Sequence, residues 1–214
     1  MKYKAIIFDL DGTLIHTLPA YRYNIVGATL RDFGLKASEK DIDIFWFGAD
    51  RDKIIKEILH VEPAEFWHSY RIYDDNQVHM QYTKPYDDIK AIYNLKSQNF
   101  IMGVVTSAPT HIAESEIKLI GEQYFNKIIS AHVDNGFRIK PDPHGLIECM
   151  KHLGVNNTET IYVGNANEDI EAARNACVLD VLVDRKELEY KGIKPTFRIK
   201  SLYELFNIIN HSYK

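Results

Sequence analysis

Two aspartates, Asp9 and Asp11, close the apolar run Ala5-Ile6-Ile7-Phe8 and are followed directly by Gly12 and Thr13. Side chains two apart on an extended chain project to the same side, so both carboxylates can face one reacting atom. Paired acids at the carboxyl end of a strand suit nucleophilic or metal chemistry, because open parallel sheets bind their ligands along that edge. Gly12 permits a sharp turn, and the Thr13 hydroxyl can bond backbone or an anion. Asp, Gly and Thr are also ordinary turn residues, so the weight of this segment depends on what the rest of the chain supplies.

Three further segments supply it. Thr106, with Ser107 behind it, ends the run Met102-Gly103-Val104-Val105 and precedes Pro109, where a hydroxyl can either donate to an anion or cap a helix. Lys140 stands before Pro141-Asp142-Pro143, so its ammonium is presented on a stiffened loop. The fourth segment, Val163-Gly164-Asn165-Ala166-Asn167-Glu168-Asp169, places a glycine after a strand and then an amide and acids where a helix opens; Asp169 would also favour a helix N-terminus through the macrodipole. A nucleophilic carboxylate, a second acid, a hydroxyl, a cation and metal-ligating oxygens together match phosphoryl transfer, in which the charge of the transferred group must be neutralised and its oxygens oriented.

The elements that must position these groups follow from periodicity. Strand-like runs at 4–9, 100–106, 127–131, 160–163 and 178–183 alternate with helical stretches at 86–97, 111–120, 144–153, 168–176 and 202–209. That alternation predicts a doubly wound α/β fold with a parallel sheet covered on both faces. Residues 17–82 break it with amphipathic stretches at 21–33, 53–59 and 64–78, which read as an inserted helical module. The aromatics there, Phe45, Trp46, Phe47, Phe66, Trp67, Tyr70 and Tyr73, are expected to form the core of that module rather than a stacking platform.

With 214 residues, 45% hydrophobic and 26% charged, the chain can bury a full core. A net charge of -4 and a pI near 6.1 argue against nucleic acid or an anionic membrane as partner. Cys149 and Cys177 lack metal-type spacing and read as buried reduced thiols. The apolar runs are strand-sized and the N-terminus enters a strand at once, so a cytoplasmic location is expected.

On the segments Asp9-Leu10-Asp11-Gly12-Thr13-Leu14, Val105-Thr106-Ser107, Lys140-Pro141-Asp142-Pro143, and Gly164 through Asp169 continuing into Ile170-Glu171-Ala172-Ala173-Arg174-Asn175-Ala176, the chain resembles the haloacid dehalogenase superfamily phosphatases. The resemblance is nearest to their phosphoglycolate phosphatase and β-phosphoglucomutase branch and covers nearly the whole length. It implies a Rossmann-like core made of residues 1–16 and 83–214, with 17–82 as a small helical cap. It further implies that Asp9 attacks phosphorus to form an aspartyl-phosphate and that Asp11 protonates the leaving group and then deprotonates water. Thr106 and Lys140 would hold the phosphoryl oxygens, with Gly12, Thr13 and Ser107 contributing to the phosphate site. Mg2+ would sit on Asp9, the Asp11 carbonyl, Asn165 and, through water, Asp169. The expected partner is a small phosphorylated metabolite, and the expected assembly a monomer or homodimer.

The chain departs from that pattern at Asn165, where the branch carries a metal-ligating aspartate. An amide oxygen still coordinates magnesium but brings no charge, so weakened metal binding is expected. His16-Thr17 replaces a common acid and serine, and Cys177 replaces a glycine that usually follows the alanine. Arg51, near Gly48 in the insertion, is a candidate for the remote end of the substrate. A phosphomutase using the same core chemistry and a catalytically impaired binding protein remain as alternative readings, while the second aspartate at position 11 disfavours dehalogenation.

Overall fold

Strand β1 (Ala5–Phe8) consists of four residues with no exposed surface, as a strand covered on both faces must be. In the computed structural model, which describes residues 2–48, 50–187, 192 and 194–211, it lies at the centre of a six-stranded sheet. The other chain elements are β2 (Ile15–Thr17), α1 (Pro19–Asp32), α2 (Glu39–Phe47), α3 (Arg51–Glu57), α4 (Pro63–Tyr73), α5 (Asn76–Tyr82) and β3 (Thr83–Pro85). They continue with α6 (Lys90–Ser97), β4 (Ile101–Thr106), α7 (Thr110–Ile120), β5 (Lys127–Ser130), α8 (His144–Leu153) and β6 (Thr160–Gly164). The last are α9 (Asn167–Asn175), β7 (Leu179–Val183), β8 (Phe197–Ile199) and α10 (Leu205–His211).

The sheet order is β5-β4-β1-β6-β7-β8, and every pairing is parallel. From β1 the chain moves outward to β4 and β5, then returns to β6 on the other side. The strand order therefore reverses at the carboxyl end of β1, the position where open α/β sheets bind ligands. Alternation along the strands sorts the core into two layers. Ile6, Phe8, Met102, Val104, Ile161 and Val163 pack with Ile92 and Leu95 of α6, Ala113 and Ile117 of α7 and Leu205 of α10. Ile7, Val105, Ile129 and Tyr162 pack with Leu146 and Cys149 of α8 and Ala172 and Ala173 of α9.

The chain divides into two compact units, Met1–His16 with Lys84–Lys214, and Thr17–Thr83; Thr83 falls with the insertion. The insertion is helical throughout α1 to α5 and carries its own core, in which Phe45, Phe66 and Tyr70 are buried beside Tyr21, Ile25 and Leu30. Its aromatic residues thus pack on one another, with Phe45 and Phe66 ring centres 5.2 Å apart. A two-stranded sheet pairs β2 with β3.

Four expectations need correction. The sheet has a sixth strand, β8, too short and too exposed at Phe197 and Arg198 to carry an apolar signature. Helix α2 was not anticipated, although Ser38 caps it in a box with Asp41. The stretch 64–78 is two helices, because the Asp75 side chain accepts the Gln77 and Val78 amides and starts α5 anew. Cys177 is exposed, not buried, and free like Cys149. It adopts a left-handed φ of 56° just past α9, where its amide bonds the Arg174 carbonyl and the Val178 amide bonds Ala173. That pattern is the Schellman stop, which glycine forms without penalty. Among the described residues no helix is long and apolar enough to cross a membrane.

A side chain in the left-handed region costs roughly 1–2 kcal/mol, part of which glycine loses again to unfolded-state entropy. Cys177→Gly is therefore expected to raise the unfolding free energy by up to about 1 kcal/mol in urea titrations, with an unchanged m value.

Candidate active site

The four chemical segments converge at the carboxyl edge of the core sheet. Asp9 follows β1, its amide bonding the Val163 carbonyl at 2.9 Å, and its carboxylate is buried. Lys140 arrives on the loop between β5 and α8. Its Nζ donates to Asp9 Oδ1 at 2.6 Å and to Asp169 Oδ1 at 2.7 Å, with a third, longer contact of 3.4 Å to the Tyr162 hydroxyl. An ammonium has three N–H donors, so the third is the one most easily turned to an incoming anion.

Asp169 is fixed on all sides. Its Oδ2 accepts the amides of Asn165 and Ala166, each at 3.0 Å, and its Oδ1 accepts Tyr162 as well as Lys140. This close return onto the strand needs Gly164, where a Cβ would lie 2.3 Å from the Cβ and Cγ of Asp169. With both oxygens so engaged, Asp169 acts as the anchor of Lys140. Tyr162 completes the group and was not singled out from the sequence. Register places it opposite Ile7, hence on the same face as Asp9, two positions further along β1.

The turn after Asp9 is tight. The Leu10 carbonyl accepts the amides of Thr13, Leu14 and Ile15 at 3.2, 2.9 and 3.2 Å, and Gly12 takes a φ of 74°. A Cβ on Gly12 would come within 2.1 Å of the Asn165 Nδ2, so glycine is required for approach as well as for dihedral angle. The fully buried Thr13 hydroxyl lies 3.0 Å from Asp9 Oδ2 and 3.3 Å from Asn165 Oδ1. Thr106 accepts the Ala108 amide at 3.1 Å, leaving its proton directed to Asp11 Oδ2 at 3.5 Å. Asp11 and Ser107 are exposed. Arg51 lies in the helical unit, where it donates to the Trp46 carbonyl and sits over the Phe45 ring; both contacts are internal to that unit.

One cation shared by two buried carboxylates leaves a negative charge out of water, and the proton affinities reflect it. Burial pushes the Asp9 carboxyl up to about 7, against the opposing pull of Lys140. For Lys140, burial alone would favour the neutral amine, but Asp169 and Asp9 outweigh it and hold the ammonium charged. Burial and then Asp169 push the Tyr162 phenol well up, so it stays a neutral donor.

A second carboxyl escaped the sequence reading. Glu116, on α7, has no exposed surface, and its carboxyl lies against that of Asp11. Burial, then the neighbouring Asp11, push its pKa up to about 10. A signal existed: positions 113, 116, 117 and 120 form one helical stripe, of which only Glu116 is not apolar.

Among the described residues no cluster of three or more His, Cys, Asp or Glu side chains could cage a metal ion. The donors present, Asp9 and Asn165 around the Thr13 hydroxyl, are hard oxygens. They fit a magnesium-like cation that retains waters and takes the rest of its ligands from a phosphate. A cavity of about 620 Å³ lies elsewhere, along α7 and β5, and none of Asp9, Thr106, Lys140 and Asp169 lines it.

A family model described as haloacid dehalogenase-like hydrolase matches residues 6–183. The pyrophosphatase PpaX of Halalkalibacterium halodurans is 28% identical over 98% of this chain and 98% of its own. A Clostridium perfringens relative carrying the same PpaX name is 32% identical over 81% of this chain and 80% of its own. Among solved structures, that of a predicted phosphoglycolate phosphatase from Haemophilus somnus superposes with a TM-score of 0.80 at 23% identity, covering 98% of this chain and 99% of that one.

The Glu116 shift sets a pH dependence with a definite sign. Its folded pKa exceeds the unfolded value of about 4.5, so folding binds the proton more tightly and wild-type stability is lost as pH rises from about 4.5 towards about 10. In metal-free protein, the unfolding free energy of wild type relative to Glu116→Gln is expected to fall steadily across that window in urea titrations. A flat difference would show that Glu116 is not held protonated.

Proposed function

This chain belongs to the haloacid dehalogenase-like hydrolase family, and on that footing we propose that it is a phosphatase that hydrolyses small phosphate compounds through an aspartyl-phosphate. The observation that carries the reading is the contact of the Lys140 ammonium with Asp9, 2.6 Å from a buried carboxylate at the switch point of the sheet. Asp9 is the nucleophile: one of its oxygens forms the bond to phosphorus as the bond to the leaving oxygen breaks. Asp11, exposed beside it, gives a proton to that leaving oxygen and later takes one from the water that attacks the phosphoaspartate. Lys140 and Thr106 hold the equatorial phosphoryl oxygens and offset their charge. Asp9, the Asp11 carbonyl and Asn165 would hold Mg2+, whose charge offsets that of the phosphoryl group.

The substrate is a small phosphomonoester of the phosphoglycolate kind or, following the name of the relatives, inorganic pyrophosphate. Phosphate release from phosphoglycolate, pyrophosphate and a panel of sugar phosphates, with and without magnesium, separates these. Asp9→Asn should lower kcat by about 10³-fold or more, and Asp11→Asn by about 10²–10⁴-fold. Turnover by Asp9→Asn near the wild-type rate would exclude the covalent route.

Asn165 favours one second reading, a family member whose activity is suppressed by poor metal loading. Asn165→Asp restores a carboxylate and is expected to lower the magnesium concentration at half-saturation, both in the assay and in calorimetric titration without substrate. An unchanged binding isotherm would remove Asn165 as the cause of weak binding. Turnover confined to the Asn165→Asp protein would select the suppressed form.

A further inference from the structure

Arg185 follows β7 on the polypeptide but spends its guanidinium on the turn after Asp9. Its Nη2 donates to the Thr13 carbonyl at 2.6 Å and to Asp88 Oδ1 at 3.1 Å, while Nη1 donates to Asp88 Oδ2 at 2.9 Å. The guanidinium carbon lies 3.9 Å from the centre of the Tyr86 ring, whose other contacts include a stacked His16 at 4.5 Å. Only 7% of the Arg185 side chain is exposed. Asp88 is itself held by the Leu202 amide at 2.8 Å, so the fork is fixed at its far end as well.

We propose that Arg185 is a positioning residue for catalysis, clamping the Thr13 carbonyl so that the Thr13 hydroxyl aims the Asp9 carboxylate. The proposal rests on the phosphatase reading above. The Thr13, Leu14 and Ile15 amides all turn inward to the Leu10 carbonyl, whereas the Thr13 carbonyl points outward to Arg185. The same residue then binds on two sides: its carbonyl to Arg185, its hydroxyl to Asp9 Oδ2 and Asn165 Oδ1. Releasing the carbonyl leaves the peptide after Thr13 held only by the Leu14 amide on the Leu10 carbonyl, so it can tilt about that bond and carry the hydroxyl with it. Arginine suits this task because its planar fork serves a carboxylate bidentately and a carbonyl together while lying flat on a ring; lysine offers a point charge with neither the fork nor the planar face.

The test compares the full-length wild type with Arg185→Ala and Arg185→Lys on p-nitrophenyl phosphate with saturating magnesium, alongside thermal melts. A nucleophile displaced by a fraction of an ångström should cost about 10–100-fold in kcat. We therefore expect that loss in Arg185→Ala with KM within two-fold of wild type, an intermediate kcat in Arg185→Lys, and saturable recovery of Arg185→Ala by added methylguanidinium. A purely structural role predicts a lower melting temperature with wild-type kcat per folded molecule and no recovery, and either result overturns the inference. Should Arg185→Ala be unfolded at the assay temperature, Asp88→Asn loosens the same fork while keeping its shape; an unchanged kcat there overturns the inference equally. An inactive wild type removes the phosphatase reading together with this one, whereas an active wild type with an unaffected Arg185 variant removes this one alone.

Discussion

One buried ammonium holds the strand-end site together. Lys140 lies between Asp9 and Asp169 at 2.6 and 2.7 Å, and without it two carboxylates would stand in a place with little water to screen them. Taking charges out of water is costly unless each is paired and hydrogen-bonded, and removing one partner of such a group typically costs about 3–5 kcal/mol. The surrounding features serve that arrangement. Gly164 lets Asp169 fold back over the strand, the Asn165 and Ala166 amides fix its outer oxygen, and the Tyr162 hydroxyl donates to its inner oxygen.

That balance also explains what Asn165 changes. A carboxylate at 165 would add a further negative charge beside a site that is already one cation short, and would make a divalent ion close to obligatory. The amide keeps an oxygen in the same place, 3.3 Å from the Thr13 hydroxyl, without adding charge. Asp9 then has Lys140 on one oxygen and Thr13 on the other, so its orientation is set by neutral and cationic donors of the chain itself. The turn carrying Thr13 is tied in its turn to the opposite flank of the sheet through Arg185.

Much of this was legible along the chain. Buried parallel strands read as largely apolar runs, with Asp180 the one charged residue inside them, so β1, β4, β6 and β7 are legible with their ends within a residue or two, and the chemical residues behind β1, β4 and β6 with them. Elements with little burial were not: β8 is an exposed edge of three residues. The break at Asp74 and Asp75 inside an amphipathic stretch depends on a side-chain cap that periodicity does not register.

The sequence by itself determined the kinds of group available, their order, and the strand ends on which they are carried, because local periodicity and turn chemistry are properties of neighbouring residues. Tertiary structure alone decided which of them meet. Lys140 and Asp9 are 131 positions apart, Thr13 and Asn165 are 152 apart, and Arg185 and Thr13 are 172 apart. Such pairings follow from strand order and register. So Tyr162, Glu116 and Arg185 acquired their places only when the sheet brought distant segments to one edge.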